Sequence, residues 1–83
     1  MSLVGIKFPT FFRTPARGGV LEVQEFKVGP GPCGKTVSTL CFSRIAVGLA
    51  CIIEITQWHT DDTYKTFQYP LDQIVGRIEL SYE

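Results

Sequence analysis

The chain has 83 residues and a formal net charge of zero, with 45% hydrophobic and 19% charged residues. This composition excludes a disordered chain, and the neutral balance gives no overall basic charge that would indicate nucleic-acid binding. The length predicts one β domain spanning residues 1–83, which buries roughly 60% of the surface of its extended chain and has little stability to spare.

Apolar and polar residues alternate along most of the chain, which predicts β-strands rather than helices. The first strand is predicted at residues 3–8 and ends at Pro9, because proline cannot donate a hydrogen bond to a neighbouring strand. Residues 9–19 then read as an irregular arm rich in aromatic and basic side chains.

The second strand is predicted at residues 20–28, where the alternation changes phase near Gln24 and Glu25. A β-bulge at this point would return all of its apolar residues to the core and would bend the strand as small barrels require. These residues are Leu21, Val23, Phe26 and Val28. A loop rich in proline and glycine follows at residues 29–36.

Two further strands are predicted at residues 37–45 and 49–58, and a turn centred on Ala46 would place Cys41 opposite Cys51. A turn at residues 59–63 leads to a strand at residues 64–69. Residues 70–74 predict one helical turn, because proline is tolerated where a helix begins. The last strand is predicted at residues 75–82.

About six short strands without a substantial helix predict an all-β protein. We expect a small antiparallel sheet curled into a barrel of SH3, Sm or OB size, because closure removes exposed strand edges. This likeness concerns size and strand number alone and implies no function.

The three cysteines, Cys33, Cys41 and Cys51, are an odd number without C-x-x-C spacing. Small secreted domains carry an even, dense set, so we expect reduced thiols in a cytoplasmic protein, or in the host cytoplasm if the source is viral. Cys41 and Cys51 are expected to be small buried hydrophobes. The apolar stretch at residues 45–55 is shorter than the roughly 20 residues of a membrane-spanning helix. Residues 1–3 and Glu83 are given no functional weight, because expression vectors often leave such ends.

Residues 29–36 match the phosphate-loop pattern G-x-x-x-x-G-K-[ST] letter for letter. That chemistry requires consecutive backbone N–H groups and a following helix. Pro30 and Pro32 lack an N–H, and the residues after Thr36 favour a strand. We therefore expect a rigid hairpin loop that binds no nucleotide, and we expect no other cofactor.

His59, the one histidine of the chain, stands two residues before Asp61. A histidine–carboxylate pair can activate a nucleophile, but nothing in the sequence brings one close to it. The conceivable nucleophiles are Ser38, Ser43, Ser81 and Cys33. The spacings typical of a zinc site are absent even if Asp62 is included. We therefore predict no enzyme, no catalytic residue and no metal site.

Residues 7–19 interleave three cations with three phenylalanines and end in Arg-Gly-Gly. Rings and cations in this pattern bind single-stranded nucleic acid through base stacking and phosphate contacts. The same rings could instead close one end of the barrel or contact a neighbouring subunit. The predicted contact residues are Phe8, Phe11, Phe12, Arg13, Arg17, Lys27, Lys35 and Arg44.

Low charge together with ten aromatic residues favours a non-enzymatic interaction or assembly module that binds a protein or forms a homo-oligomer through the arm and sheet edges. Its small size is typical of a phage or bacterial accessory protein. Residues 1–50 carry six basic and two acidic side chains and residues 51–83 the reverse. This asymmetry indicates self-association or an anionic partner, unless the folded sheet mixes the two halves and cancels the polarity. The alternative is a barrel that binds single-stranded nucleic acid, with Lys27, Lys35 and Arg44 extending the groove.

Overall fold

The computed structural model describes residues 2–14, 18–31 and 34–83, and most of these residues lie in β-strands. The strands are β1 (Leu3–Thr14), β2 (Gly18–Lys27), β3 (Gly29–Pro30), β4 (Thr36–Val47), β5 (Ala50–His59), β6 (Tyr64–Pro70) and β7 (Glu79–Tyr82). A short 3-10 turn at Leu71–Gln73 follows Pro70 and agrees with the predicted helical turn. Within the described residues, no helix is long and apolar enough to cross a membrane. The prediction of an all-β protein is confirmed.

The strands form two antiparallel sheets. The three-stranded sheet has the order β2-β1-β7, and the four-stranded sheet has the order β3-β4-β5-β6. The chain passes from one sheet to the other at Val28, whose N–H donates to the Val4 carbonyl (3.0 Å) just before β3. Because the described strands divide into two sheets with separate edges, they do not close into one barrel. The predicted barrel is not confirmed.

The core lies between the two sheets, and both contribute to it. The buried apolar residues are Ile6, Phe8, Phe26, Val37, Leu40, Ile53 and Ile55. The ring of Phe8 meets Tyr69 edge-on with 5.1 Å between centroids, and Phe26 lies 5.2 Å from Phe67. The period of two within β1 and β5 produces this arrangement, because alternate side chains of a strand share one face.

Residues 9–14 and 18–19 are regular strand, so the prediction of an irregular arm is wrong in the described part. Pro9 fits inside β1 because its carbonyl accepts from the Val75 N–H (3.1 Å). The nitrogen and carbonyl of one strand residue point to the same side. The missing proline N–H therefore faces Val75, and the bonds between β1 and β2 remain intact. Residues 15–17 lie outside the described residues.

The predicted bulge near Gln24 and Glu25 is also wrong, because the register between β1 and β2 is continuous along the whole hairpin. Leu21 and Val23 therefore stay on the outer face of the sheet, while Phe26 faces the core. The apolar pattern changes phase along β2 because both faces of this strand are partly apolar, and the backbone itself does not shift.

The hairpin of β4 and β5 turns at Gly48 and Leu49, later than predicted. Gly48 has a φ of +61°, which suits the first position of a two-residue hairpin turn. Cys41 consequently lies opposite Thr56 rather than opposite Cys51. Cys41 is exposed and Cys51 is half-buried, so neither is the buried hydrophobe that the sequence predicts.

Candidate interaction site

The outer face of the three-stranded sheet, which points away from the core, carries an apolar patch. Pro9 lies opposite Val23, and Phe11 lies opposite Leu21. Phe11 is 41% exposed, Leu21 65% and Val23 54%. We call these four residues the outer patch. Solvent-facing strand positions usually carry polar side chains, so a cluster of this kind marks a candidate contact surface.

The glycine at position 19 shapes one end of the outer patch. A Cβ atom added to Gly19 would collide with the ring of Phe11, so the ring occupies the space above this glycine. Arg13 pairs with Gly19 across the hairpin and is exposed. The ring of Phe11 therefore covers the backbone of Gly19, which has no side chain of its own to cover it.

The other half of the same face is charged. Lys7 of β1 lies between Glu25 of β2 and Glu79 of β7. Lys27 pairs with Glu25 (3.5 Å), and Arg77 pairs with Glu79 (3.6 Å). Exposed pairs of this kind contribute little to stability, but they leave this half with alternating signs and a small net charge. A shallow cleft of about 200 Å³ lies between the halves, lined by Lys7, Phe8, Pro9, Val23, Arg77 and Glu79.

The predicted aromatic contact residues do not share one surface. Phe8 is fully buried and Phe12 is half-buried, whereas Phe11 faces outward. Adjacent residues of a strand point to opposite faces, so a strand cannot present Phe11 and Phe12 together. Arg13 lies beside Phe11 on the outer face, and Arg17 lies outside the described residues.

The other predicted cations are dispersed over the molecule. Lys27 is at the far end of the outer face, beyond Glu25. Lys35 precedes β4 and pairs with Asp61 (3.4 Å). Arg44 lies within β4 and reaches the sulfur of Cys51 (3.6 Å). The structure therefore does not bring these cations together into one groove with Phe11.

A second candidate is the polar cluster at the turn between β5 and β6. His59 is buried, and its Nδ1 lies 3.2 Å from the hydroxyl of Thr63. That hydroxyl donates to Asp61 and accepts from the ammonium group of Lys35 (3.2 Å). Because its one hydrogen is used by Asp61, the Nδ1–H of His59 must be the donor to Thr63.

The bonds from the hydroxyl and N–H of Thr63, in that order of effect, lower the pKa of Asp61 from 3.8 to about 2, and Lys35 contributes less. In a catalytic triad the histidine lies between the hydroxyl and the carboxylate. Here the hydroxyl of Thr63 lies between His59 and Asp61 instead. The cluster therefore closes the turn and attaches it to Lys35.

The phosphate-loop pattern leads into a strand, as expected. Gly29 and Pro30 form β3, and Thr36 begins β4. Gly31 donates to the carbonyl of Lys35 (3.0 Å), a bond between the described residues on either side of positions 32 and 33. Pro32 and Cys33 lie outside the described residues. In residues 2–14, 18–31 and 34–83, no three His, Cys, Asp or Glu side chains come together as potential metal ligands.

The comparison with known families identifies the lineage of the chain. A family model described as Enterobacteria phage T3 gene 1.05 protein matches residues 2–82. The chain belongs to this family. Of the expected phage or bacterial origin, this family supports the phage origin.

A relative in the gene 1.05 family shows how far the similarity extends. The chain is 43% identical over 63 residues to the uncharacterized gene 1.05 protein of Enterobacteria phage T3. The alignment covers 75% of this chain and 64% of the relative, which is less than two thirds of its length. No solved structure matches the chain.

Sequence reasoning misses Leu21 and Val23 as surface residues of this gene 1.05 family member. Counting back from the buried Phe26 in steps of two would have placed them outside, but it would also have placed Gln24 inside. Gln24 is accommodated there, because its amide donates to Thr10 (3.4 Å) and its carbonyl accepts from Tyr69 (3.4 Å). These partners lie in β1 and β6, so the sequence of β2 alone gives no signal that this glutamine faces inward.

Proposed function

We propose that this gene 1.05 family member is a non-enzymatic interaction module that binds a protein partner in the cytoplasm of the infected host through the outer patch. The observation that carries the proposal is the exposure of Phe11, Leu21 and Val23 on one face of a small sheet. Apolar clusters on otherwise soluble domains typically mark protein contact sites.

The composition of the face supports a protein partner. Fully burying a Leu, Val or Phe side chain contributes about 1.5–3 kcal/mol, so the outer patch can supply the apolar centre of an interface. The alternating charges of Lys7, Glu25 and Glu79 then form a polar rim on one side, an arrangement common in protein–protein interfaces. A groove for nucleic acid would require a surplus of cations instead.

Self-association is proposed in addition to binding through the outer patch and independently of it, because a small and weakly charged domain gains stability when its strand edges are covered. The absence of catalysis is proposed from the polar cluster. The carboxylate of Asp61 and the ring of His59 both bond to Thr63, so the bonds of this cluster are used to shape a turn.

The test replaces Leu21 and Val23 by lysine, Leu21→Lys with Val23→Lys. The control is Thr66→Lys with Gln68→Lys on β6, which adds the same charge at two exposed positions. A host protein retained by the immobilised wild type is purified, and its affinity for each form is measured by calorimetry. We expect the outer-patch variant to bind at least about 100-fold more weakly, as loss of a central contact residue causes, and the control to bind as the wild type does.

The proposal fails if the outer-patch variant binds the purified partner as tightly as the wild type. It also fails if no host protein binds when both components are pure. A parallel titration uses single-stranded DNA and RNA at low and high salt. Affinity that falls steeply with salt, and is lost in Arg13→Ala, would support the nucleic-acid alternative.

A further inference from the structure

The backbone of β4 has one unpaired edge over most of its length. On that side β3 reaches only Thr36 and Val37, and no other described strand pairs there. The opposite side is covered by β5 as far as Val47. Within the described part of the chain, residues 38–47 therefore present backbone donors and acceptors to a strand that this copy does not supply.

The turn at Gly48 and Leu49 determines which residues of β4 direct their backbone N–H and C=O groups away from β5, toward the open edge. In a two-residue hairpin the flanking residues, Val47 and Ala50, exchange both hydrogen bonds, and hydrogen-bonded pairs then alternate along the strands. The bond from the His59 N–H to the Thr63 carbonyl (2.8 Å) agrees, because it directs the odd-numbered residues of β5 toward β6. The residues whose backbone points away from β5 are Leu40, Phe42, Arg44 and Ala46.

We propose that two copies of the chain join β4 to β4, antiparallel, around a two-fold axis at Ser43. This register pairs Leu40 with Ala46 of the second copy and Phe42 with Arg44 of the second copy. All four outward residues then find partners, with about eight hydrogen bonds between the chains. The two four-stranded sheets become one continuous sheet. This interface is separate from the outer patch and does not rest on it.

The charge of β4 suits a second copy. Arg44 is its one charged side chain in 12 residues. An axis at Ser43 sets Arg44 opposite Phe42 of the second copy, so like charges do not meet and the guanidinium can lie against an aromatic ring. An axis at Arg44 would bring two guanidinium groups together, which disfavours that register.

The other long edge is protected in a way that β4 is not. β2 carries Glu22, Glu25 and Lys27, and charges along an edge discourage pairing with another strand. β6 is shorter, and it contains Lys65 and ends in Pro70. Among the described strands, β4 is therefore the edge best suited to a second copy.

The same register also explains why the exposed side chain of Leu49 is apolar. This side chain at the tip of the hairpin is fully exposed. Pairing about Ser43 sets Gly48 of the second copy opposite Ser38, so the second copy's Leu49 lies next to that position, at the end of β3. A cleft of about 440 Å³ opens there between the two sheets. The cleft is lined by Ser2, Leu3, Val4, Val28, Ser38, Thr39, Leu40 and Glu83. Each copy thus offers an apolar side chain and a cleft that can receive it.

The first test measures solution mass by light scattering for the wild type and Ser43→Lys. Ser43 lies opposite Glu54 in its own chain, so a lysine gains a carboxylate neighbour there, while two lysines face each other across the axis. We expect twice the 9.3 kDa chain mass for the wild type and the monomer mass for Ser43→Lys. High salt should partly restore the dimer by screening.

The control for this test is Val23→Lys, which alters the outer patch and the edge of β2. We expect this variant to keep the solution mass of the wild type. Loss of the dimer would mean that the two copies associate through the outer face and not through β4. Partner binding by Ser43→Lys is measured separately, so a failed dimer and a failed outer patch give different results.

The second test uses Ser43→Cys under mild oxidation. Ser43 forms a non-hydrogen-bonded pair across the axis, where two cysteines lie within reach of a disulfide. We expect a covalent dimer from Ser43→Cys and none from the wild type, because the proposed register sets Cys41 opposite Ile45. A wild type that stays monomeric at high concentration overturns the proposal. A dimer that survives in folded Ser43→Lys, with no cross-link between chains in oxidised Ser43→Cys, overturns it equally.

Discussion

The space between the sheets contains polar side chains as well as apolar ones. Thr10 is buried, and its hydroxyl donates to the Glu22 carbonyl (3.0 Å). Gln24 connects this hydroxyl to Tyr69 through two longer bonds of 3.4 Å. Burial, and to a lesser degree the charge of Glu22, raise the pKa of Tyr69 above its ordinary value of 10.0. The phenol therefore remains neutral and acts as a donor at physiological pH.

Two substitutions separate packing from hydrogen bonding in this region. Phe8→Ala should lower the free energy of unfolding by about 3–5 kcal/mol, because it leaves a cavity in the core between the two sheets. Tyr69→Phe should cost about 1 kcal/mol or less, since it keeps the ring and removes one long hydrogen bond. Urea unfolding of both variants measures the difference, and equal losses would contradict the central position of Phe8.

The turn between β5 and β6 predicts a pH effect that can be assigned to one group. The pKa of Asp61 is lowered from 3.8 to about 2 in the folded chain, mainly by the hydroxyl of Thr63. Its contribution to stability is therefore complete above pH 3.8 and is lost as the pH falls toward 2. NMR titration should find this low pKa in the wild type and a value closer to 3.8 in Thr63→Val. An unchanged pKa in that variant would exclude the hydroxyl of Thr63 as the main cause.

Gly19 allows the outer patch to be altered without a change of charge. Gly19→Ala places a methyl group where the Phe11 ring lies, so the ring should move away while the strand keeps its conformation. We expect a change in stability of about 1 kcal/mol or less and weaker binding of the protein partner. Calorimetry with the purified partner measures the loss. Unaltered affinity would show that Phe11 in its present position does not contact the partner.

At the scale of the elements, the alternation of β4 predicts opposite outcomes for neighbouring proline substitutions. The N–H of Arg44 points away from β5, so Arg44→Pro removes no bond within the chain and should be tolerated. The N–H of Ser43 bonds to β5, so Ser43→Pro should cost about 3 kcal/mol or more. Unfolding by urea at concentrations where the chain is monomeric, followed by fluorescence of Trp58, compares the two, since in a dimer Arg44→Pro would also remove bonds between the copies. Equal losses of stability would mean that the assignment of the β4 backbone N–H groups to β5 or to the open edge is wrong.

The local signals of strands and turns are strong enough to place most elements from the sequence. Gly48 and the pair Asp61 and Asp62 mark hairpin turns, because few residues accept the backbone conformations that such turns need. Pro9 misleads, since whether proline ends a strand depends on which side its nitrogen faces. Here the nitrogen faces away from β2, toward the side on which the N–H of Val75, distant in sequence, bonds to the Pro9 carbonyl.

The outer patch is harder to predict, because it depends on which face of β2 meets the other sheet. Leu21 and Val23 resemble core residues by themselves, and the rule that apolar residues point inward places them wrongly. Gln24 faces inward because Thr10 and Tyr69 provide hydrogen-bond partners. Those partners belong to β1 and β6, so the local pattern of β2 contains no trace of them.

For the whole molecule, division into two sheets creates the two surfaces that we propose for protein contacts. A closed barrel would hide its strand edges, whereas two sheets leave β4 open along one side and expose the outer patch on another face. The two surfaces can act together, because a dimer through β4 carries two outer patches. Binding to a partner with repeated sites would then be strengthened by linkage of the two patches.

The most direct measurement is amide hydrogen exchange along β4 by NMR at low and high protein concentration. The amides of Cys41, Ser43 and Ile45 bond to β5 and should be protected at every concentration. The amides of Leu40, Phe42, Arg44 and Ala46 should exchange rapidly in the monomer and become protected at concentrations where the solution mass is that of a dimer. Rapid exchange of these four amides at all concentrations would contradict pairing through β4. Protection at all concentrations, in a monomer, would show that the chain itself covers this edge.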